Sequence, residues 1–485
     1  MSGKVSNTAL YVVLAGVIVG IIMYLMPAPE GVNPAGWKVM ALLLPVVCIW
    51  ATEAIPVGVG SLMFLALVVA FQIVPSRTAF GGFTNHLPWL MFGAFAIGTA
   101  MSQTGLSKRM TYWLLSKVNS FWGLILGAYG ANLALMAVPS SSARSGILAP
   151  ILNAIMDTLG RPKESKLGRL LTYNYCVSTN AFAGHLFMTG GAGNATMLAI
   201  YGEVTGYTMS WMNWFTLMLV PACLFAVASI ALSRIIVGAP EPELMAKVKD
   251  STAAKEAFAS CGKMTPDEWK VLFGFLLAIF LWVIGEHIKL SAGWASLLVA
   301  GLLFLPKIGV LPKKALNKIN WDIVLLIGAV VGVYGIMDAT GVVKLLTTVL
   351  IGPVLMPLGG NGSLIGIAIG SIIIGTIAHL FLPAPNNVAV IVTLLCGWAW
   401  TTMHFDIAVV MAFMAMLSLI GDKLVFLPYQ MPPYYVFLAL DLTDLPQFNK
   451  LMMIMYIPMC LVMVVMAFIV YFIASSTGIG LIPPG

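Results

Sequence analysis

Four short runs of small polar residues and proline interrupt long apolar stretches of this 485-residue chain. They read Pro139-Ser140-Ser141-Ser142-Ala143-Arg144, Thr189-Gly190-Gly191-Ala192-Gly193-Asn194, Pro383-Ala384-Pro385-Asn386-Asn387 and Pro428-Tyr429-Gln430-Met431-Pro432-Pro433. Where a helix breaks in apolar surroundings, one arm ends in bare carbonyls and the next begins with bare amides. Such a break offers acceptors to a cation and donors to an anion with no charged side chain. Serine and asparagine add both kinds of group without bulk. The chemistry indicated is the binding of small ions. Ser140, Ser141, Ser142, Gly190, Asn194, Pro385, Asn386, Asn387 and Pro432 are the candidate binding residues. Serine and asparagine also cap helices. The recurrence of tips at matching places in both halves favours binding: Ser140 to Gly190 spans 50 residues and Pro385 to Gln430 spans 45.

A helix N-terminus carries roughly half a positive charge, and the C-terminus of the preceding arm offsets much of it. Amides alone therefore do not balance a doubly charged anion, and a cation is needed. One source is sodium held by Ser140, Ser141, Gly190 and Asn386. The other is a side chain. Arg144, just past the first tip, is the leading candidate, with Lys423, His185 and His379 behind it. Burying an arginine mid-membrane costs about 2.5 to 3.5 kcal/mol, which marks such a residue as functional unless it snorkels to an interface. Glu53, in Thr52-Glu53-Ala54-Ile55-Pro56, reads as the polar end of a helix.

Composition narrows the setting. Apolar residues make up 60% of the chain and charged residues 9%, against about 25% charged in a soluble domain. A polytopic membrane protein is expected. The net charge of +7 comes from a few basic clusters and reports orientation in the bilayer, with no nucleic-acid partner expected. The six cysteines show no CxxC spacing and read as small hydrophobes. An intramembrane enzyme would need a constellation such as HExxH or GxSxG, and a potassium-type channel a TVGYG filter. None is present in the sequence.

The elements that must position the tips follow from length. Spans need about 20 apolar residues. The run from Ala9 to Met26 is longer than a cleavable signal core and reads as a retained helix within 1–37. Residues 38–238 form a first unit, 239–268 a cytoplasmic linker and 269–485 a second unit. Hairpins at 121–158 and 363–403 carry the first and third breaks, whose polar tips cannot face lipid. Parity alone also allows two full spans at each. Four basic clusters, around Lys108, Arg161, Lys247 and Lys313, are placed in the cytoplasm by the positive-inside rule. Met101-Ser102-Gln103-Thr104-Gly105 with Lys108 returns as Met337-Asp338-Ala339-Thr340-Gly341 with Lys344. With a cytoplasmic N-terminus, the units become inverted repeats: an all-α protein of about 11 transmembrane helices plus two re-entrant hairpins, the plan of a secondary transporter.

Thr52-Glu53-Ala54-Ile55-Pro56 is similar to the TEAIP motif of the divalent anion:sodium symporter family. Ala79-Phe80-Gly81-Gly82-Phe83-Thr84-Asn85 with Trp89-Leu90-Met91-Phe92-Gly93 resembles its AFxGFxNxxxWLxFG segment. The resemblance covers nearly the whole chain. It implies carriage of dicarboxylates, tricarboxylates or sulfate, a homodimer, and a multi-pass place in the cell membrane, most readily a bacterial inner membrane. Family tips carry Ser-Asn-Thr; here they read Ser140-Ser141-Ser142 and Pro385-Asn386-Asn387. In the broken helices Gly190 and Asn194 match the family pattern, whereas Pro432 and Pro433 match but Tyr434 stands in place of asparagine. Pro139-Ser140-x-x-Ala143-Arg144 is similar to the PSNTAR form of plastid oxoglutarate/malate translocators and bacterial citrate/succinate and tartrate/succinate antiporters. That branch implies sodium-independent anion exchange, with sodium-coupled uptake as the alternative.

Overall fold

A computed structural model describes residues 6–479 except 137, 161–164, 251, 359–362, 385, 423–424, 426, 428–429 and 432. Pro385, Lys423 and Pro432 thus lie outside the described residues. Among the described residues there are helices and turns but no strand, the all-α polytopic plan expected from composition.

In chain order, Asn7–Leu25 (α1), Pro34–Thr52 (α2), Val57–Ala70 (α3), Ser76–Phe80 (α4), His86–Thr104 (α5) and Leu106–Leu115 (α6) precede the first hairpin, Phe121–Ala134 (α7) and Ser141–Thr158 (α8). Lys166–Val177 (α9) widens into a π-helical segment, Ser178–Phe182, before Ala183–Leu186 (α10), the break, Ala192–Thr205 (α11) and Trp211–Val237 (α12). The linker holds Pro242–Asp250 (α13) and Ala253–Ser260 (α14). Then come Pro266–Ile284 (α15), Ala292–Phe304 (α16), Trp321–Ala339 (α17), Val342–Leu346 (α18) and Gly352–Leu355 (α19). Leu364–Phe381 (α20) and Asn386–Gly397 (α21) form the second hairpin, followed by Ile407–Asp422 (α22), Pro433–Leu438 (α23) and Leu445–Thr477 (α24). The apolar stretch 342–358 is interrupted by a π-helical segment at Thr347–Ile351, next to Gly352 and Pro353, where proline lacks the amide that would continue the ladder.

Among the described residues, six helices are long and apolar enough to cross a membrane. Helix α1 faces lipid: Leu14, Ile18, Ile21 and Leu25 are exposed, and only Gly16 and Gly20 are buried, against α2. Inside, the elements sort into two groups. Helices α2, α3, α5, α15, α16 and α17 pack into a frame, while the hairpins, broken helices, α12 and α24 pack mainly on one another.

Local details recur between the halves. Trp50 Nε1 donates to Ser61 Oγ at 3.0 Å, and Trp282 Nε1 donates to Ser296 Oγ at 2.9 Å. Each serine in turn donates to the carbonyl four residues earlier, Val57 or Ala292, at 2.7 Å. Helices α5 and α17 both end at a left-handed glycine, Gly105 (φ 87°) and Gly341 (φ 77°), where a side chain would be strained. The packing is reciprocal: α3 lies on α17 and α16 on α5. A Cβ at Gly58 would strike the Asp322 carbonyl, and one at Gly293 the His86 carbonyl.

The linker is anchored. Arg109 on α6 donates from Nε and Nη2 to Glu268 at 2.7 and 3.1 Å, and from Nη1 and Nη2 to the carbonyls of Gly262 and Cys261 at 2.7 and 2.8 Å. Glu268 also completes a capping box with Thr265 at the start of α15, just before the apolar part of that helix. Helix α14 packs on α6 and on the hairpin arm α8. The guanidinium of Arg109 holds the Glu268 carboxyl below the usual carboxylate range. A depressed folded-state pKa contributes stability that is complete above the unfolded value of about 4.3 and is lost as pH falls through the lower folded value. The melting temperature of purified protein is therefore expected to be flat from neutrality to about pH 5 and to fall below about pH 4, with Glu268→Gln removing roughly 2 kcal/mol at neutral pH and flattening the acid limb. An unchanged acid limb in that variant would assign the loss to other carboxylates.

Candidate functional site

The first tip is built on the N-terminus of α8. Ser140 caps it, its Oγ accepting from the Ala143 amide at 3.2 Å while its carbonyl accepts from the Arg144 amide at 3.0 Å. This cap places Ser141 and Arg144 on the inner face and leaves Ser142 exposed. Arg144 is fully buried, at 0% exposure, and does not snorkel. Its Nη1 donates to the carbonyls of Val138 (2.5 Å) and Gly190 (2.8 Å), and its Nη2 to the carbonyl of Thr179 (2.6 Å) and to Ser141 Oγ (3.3 Å). One guanidinium thus stitches three segments together: the end of the first hairpin arm, the π-helical segment after α9 and the loop before α11.

Neighbouring polar groups complete the seam. Ser141 Oγ donates to Asn180 Oδ1 at 3.3 Å, Asn132 Nδ2 to Ser178 Oγ at 3.2 Å, and Thr189 Oγ1 to the Met136 carbonyl at 3.1 Å. Asn194 reaches back across the break, its Nδ2 donating to the carbonyls of Gly184 (2.6 Å) and Phe187 (2.8 Å). Gly191 precedes α11 and supplies no side-chain cap to its first amides. The second half reaches this region through α23, which packs on α8 and α9, with the Tyr175 and Phe437 rings 5.8 Å apart. Tyr434, which stands where the resemblance leads one to expect asparagine, is buried there.

The second tip is placed differently. Asn386 and Asn387 are both fully buried. Asn387 Nδ2 donates to the Gly375 carbonyl at 3.4 Å, whereas Asn386 Nδ2 donates to the Trp50 carbonyl at 2.9 Å and to Glu53 Oε1 at 3.4 Å. The Oδ1 atoms of Asn194, Asn386 and Asn387 are buried and have no hydrogen-bond partner among the described residues. No hydrogen bond joins Ser140, Ser141 or Ser142 to Asn386 or Asn387 among the described residues. His185 is buried with Nδ1 3.3 Å from Ser418 Oγ, bringing the first broken helix to α22. His379 is buried as well, and its carbonyl accepts from Gln430 Nε2 at 3.0 Å.

Sequence reasoning passed over Thr179, Asn180 and Asn132. The run Ser178-Thr179-Asn180, three small polar residues in an apolar helix, was the available signal. It also gave Glu53 no partner.

The family model of the sodium:sulfate symporter transmembrane region matches residues 7–474. The chain belongs to the sodium:sulfate symporter family. A chloroplast dicarboxylate transporter 1 of Spinacia oleracea is 27% identical over 68% of this chain, and the match spans 58% of the spinach protein's own length. A citrate/succinate antiporter of Escherichia coli K12 is 25% identical over 63% of the chain and 67% of the relative. The inner membrane protein YbhI of the same organism is 26% identical over 64% of the chain and 67% of the relative. This sodium:sulfate symporter family member is a multi-pass membrane protein.

Proposed function

We propose that the protein exchanges di- and tricarboxylates across the membrane without sodium, by alternating access between two inverted repeats. The observation that carries this reading is the guanidinium of Arg144. Carbonyls of a helix break are the ligands a hard cation takes, and those of Val138, Thr179 and Gly190 already receive a tethered cation. A positive charge fixed at that place can balance part of an anion's charge near the N-termini of α8 and α11, so sodium need not bind there. Relatives named for dicarboxylate transport and for citrate/succinate antiport support a carboxylate as the cargo. The repeat of the Trp–Ser bonds, the glycine-ended helices and the reciprocal packing supports the division into units 38–238 and 269–485.

A second reading, sodium-coupled uptake of a dicarboxylate or sulfate, is favoured by the unpartnered Oδ1 atoms of Asn386 and Asn387. These oxygens suit a hard cation that enters with the substrate. Purified protein in liposomes separates the two. Uptake of labelled succinate, citrate and sulfate is measured with and without external sodium and with and without internal anion. Exchange requires uptake that depends on internal anion and is indifferent to sodium. Uptake into empty liposomes driven by a sodium gradient would replace it with the second reading.

A further inference from the structure

The turn between α2 and α3, residues 53–56, takes no part in the exchange chemistry above, yet it is fastened from both sides. Asp322, at the start of α17, accepts from the Gly58 amide at 2.7 Å and the Val57 amide at 3.2 Å, so a carboxylate from the other half caps α3. The Trp50 to Ser61 bond ties α2 to α3 across the turn. Glu53 itself has φ 48°, a left-handed backbone that is uncommon for a non-glycine residue and costs free energy unless its surroundings enforce it. What this turn presents is a pair of acceptors, the Trp50 carbonyl and Glu53 Oε1. Both are used by Asn386, the first residue of α21 at the second tip.

The two tips therefore differ in what holds them. Among the described residues, the bonds of Ser140 and Ser141 and those from Arg144 to Val138, Ser141, Thr179 and Gly190 join the first hairpin to its own broken helix. Asn386 crosses from the second hairpin to the frame. A contact made in one arrangement of two groups and broken in another biases the equilibrium between them by its own free energy. The acceptors sit beside a turn that the Asp322 carboxylate and the Trp50–Ser61 bond hold in place, so the bond acts at full strength whenever the tip arrives.

We infer that Glu53 is a positioning residue that holds the second hairpin tip on the frame, through Asn386, in one of the two access states. The inference rests on the alternating-access reading for its consequence, but the contact is testable without transport. Hydrogen–deuterium exchange of the full chain in detergent reads the tip directly. In Glu53→Ala, amides of 386–390 exchange about tenfold faster, the effect of losing a hydrogen bond to a charged acceptor, while those of 57–70 keep their wild-type rate. Glu53→Asp, one methylene shorter, keeps the charge but loses the reach and gives the same rise. Glu53→Gln retains an oxygen at the same distance without the charge and recovers part of the protection, exchanging more slowly than the alanine variant. A purely structural role would loosen 57–70 and leave 386–390 alone. That pattern, an equal rise in the glutamine variant, or an unchanged tip in both the alanine and aspartate variants, overturns the inference. If the tip responds as expected and liposomes show no anion exchange, the positional contact stands and the functional reading is the one that fails.

Discussion

Arg144→Ala abolishes transport in liposomes while the chain still inserts and elutes as a single species. The expected loss is at least roughly 100-fold in exchange rate. Removing the guanidinium leaves the carbonyls of Val138, Thr179 and Gly190 without their donor in a site at 0% exposure. Each unsatisfied buried group costs about 1–3 kcal/mol, and the hairpin end, the π-helical segment and the loop before α11 lose their common fastening. The charge that would face an anion goes with it. Arg144→Lys does not rescue. An ammonium carries the charge but is a point donor, whereas Nη1 serves two carbonyls and Nη2 a carbonyl and a hydroxyl from one planar fork. Wild-type counterflow in either variant would remove Arg144 from the site.

The second large effect is expected from a residue without charge. In Gly190→Ala the added methyl group would overlap the Ala183 carbonyl and lie 3.0 Å from backbone atoms of Gly184. Backbone cannot rotate aside as a flexible side chain can, so the loop must shift. Overpacking of this kind costs about 1–3 kcal/mol, and here it displaces an acceptor of Arg144. Transport is expected to fall nearly as far as in Arg144→Ala, with the cation retained. Gly146→Ala is the matched control: it lies on the same helix as Arg144, is exposed, and has no atom within 4 Å of its Cβ. Thermal melting and counterflow of the two variants separate local crowding from a general intolerance of alanine; equal activity in both would show that the loop before α11 tolerates movement.

Arg144 was legible because charge is rare in apolar sequence, and a buried arginine beside a Pro-Ser break has few uses. Gly190 and Asn194 were legible for a related reason, as a polar interruption of an apolar helix. The partners of Arg144 were not. They are backbone carbonyls, which every residue carries and no residue type announces, and only the arrangement of three segments selects Val138, Thr179 and Gly190. Thr179 and Asn180 sit where a helix continues without proline or glycine, so the only local mark they carry is three successive small polar residues, Ser178 to Asn180, in an apolar helix. Asn386 was read as a binding group, but its bond to the Trp50 carbonyl spans 336 positions, and no periodicity within either segment encodes that meeting. The helices themselves were easier. Apolar length marked the spans, and the repeated segments Met101–Gly105 and Met337–Gly341 paired two of them.

The crossed packing of α3 on α17 and α16 on α5 also sets a timetable for biogenesis. When the ribosome has delivered residue 238, the close-approach surface at Gly58 and Gly82 has nothing to meet, because the atoms that fill it belong to Asp322, Leu325, Gly328 and Val331. The early half must wait in the lipid, inserted but incomplete, until α17 emerges. Maturation is then a late docking step between two inserted halves, and separately synthesised halves that share a membrane have the complementary surfaces to find each other.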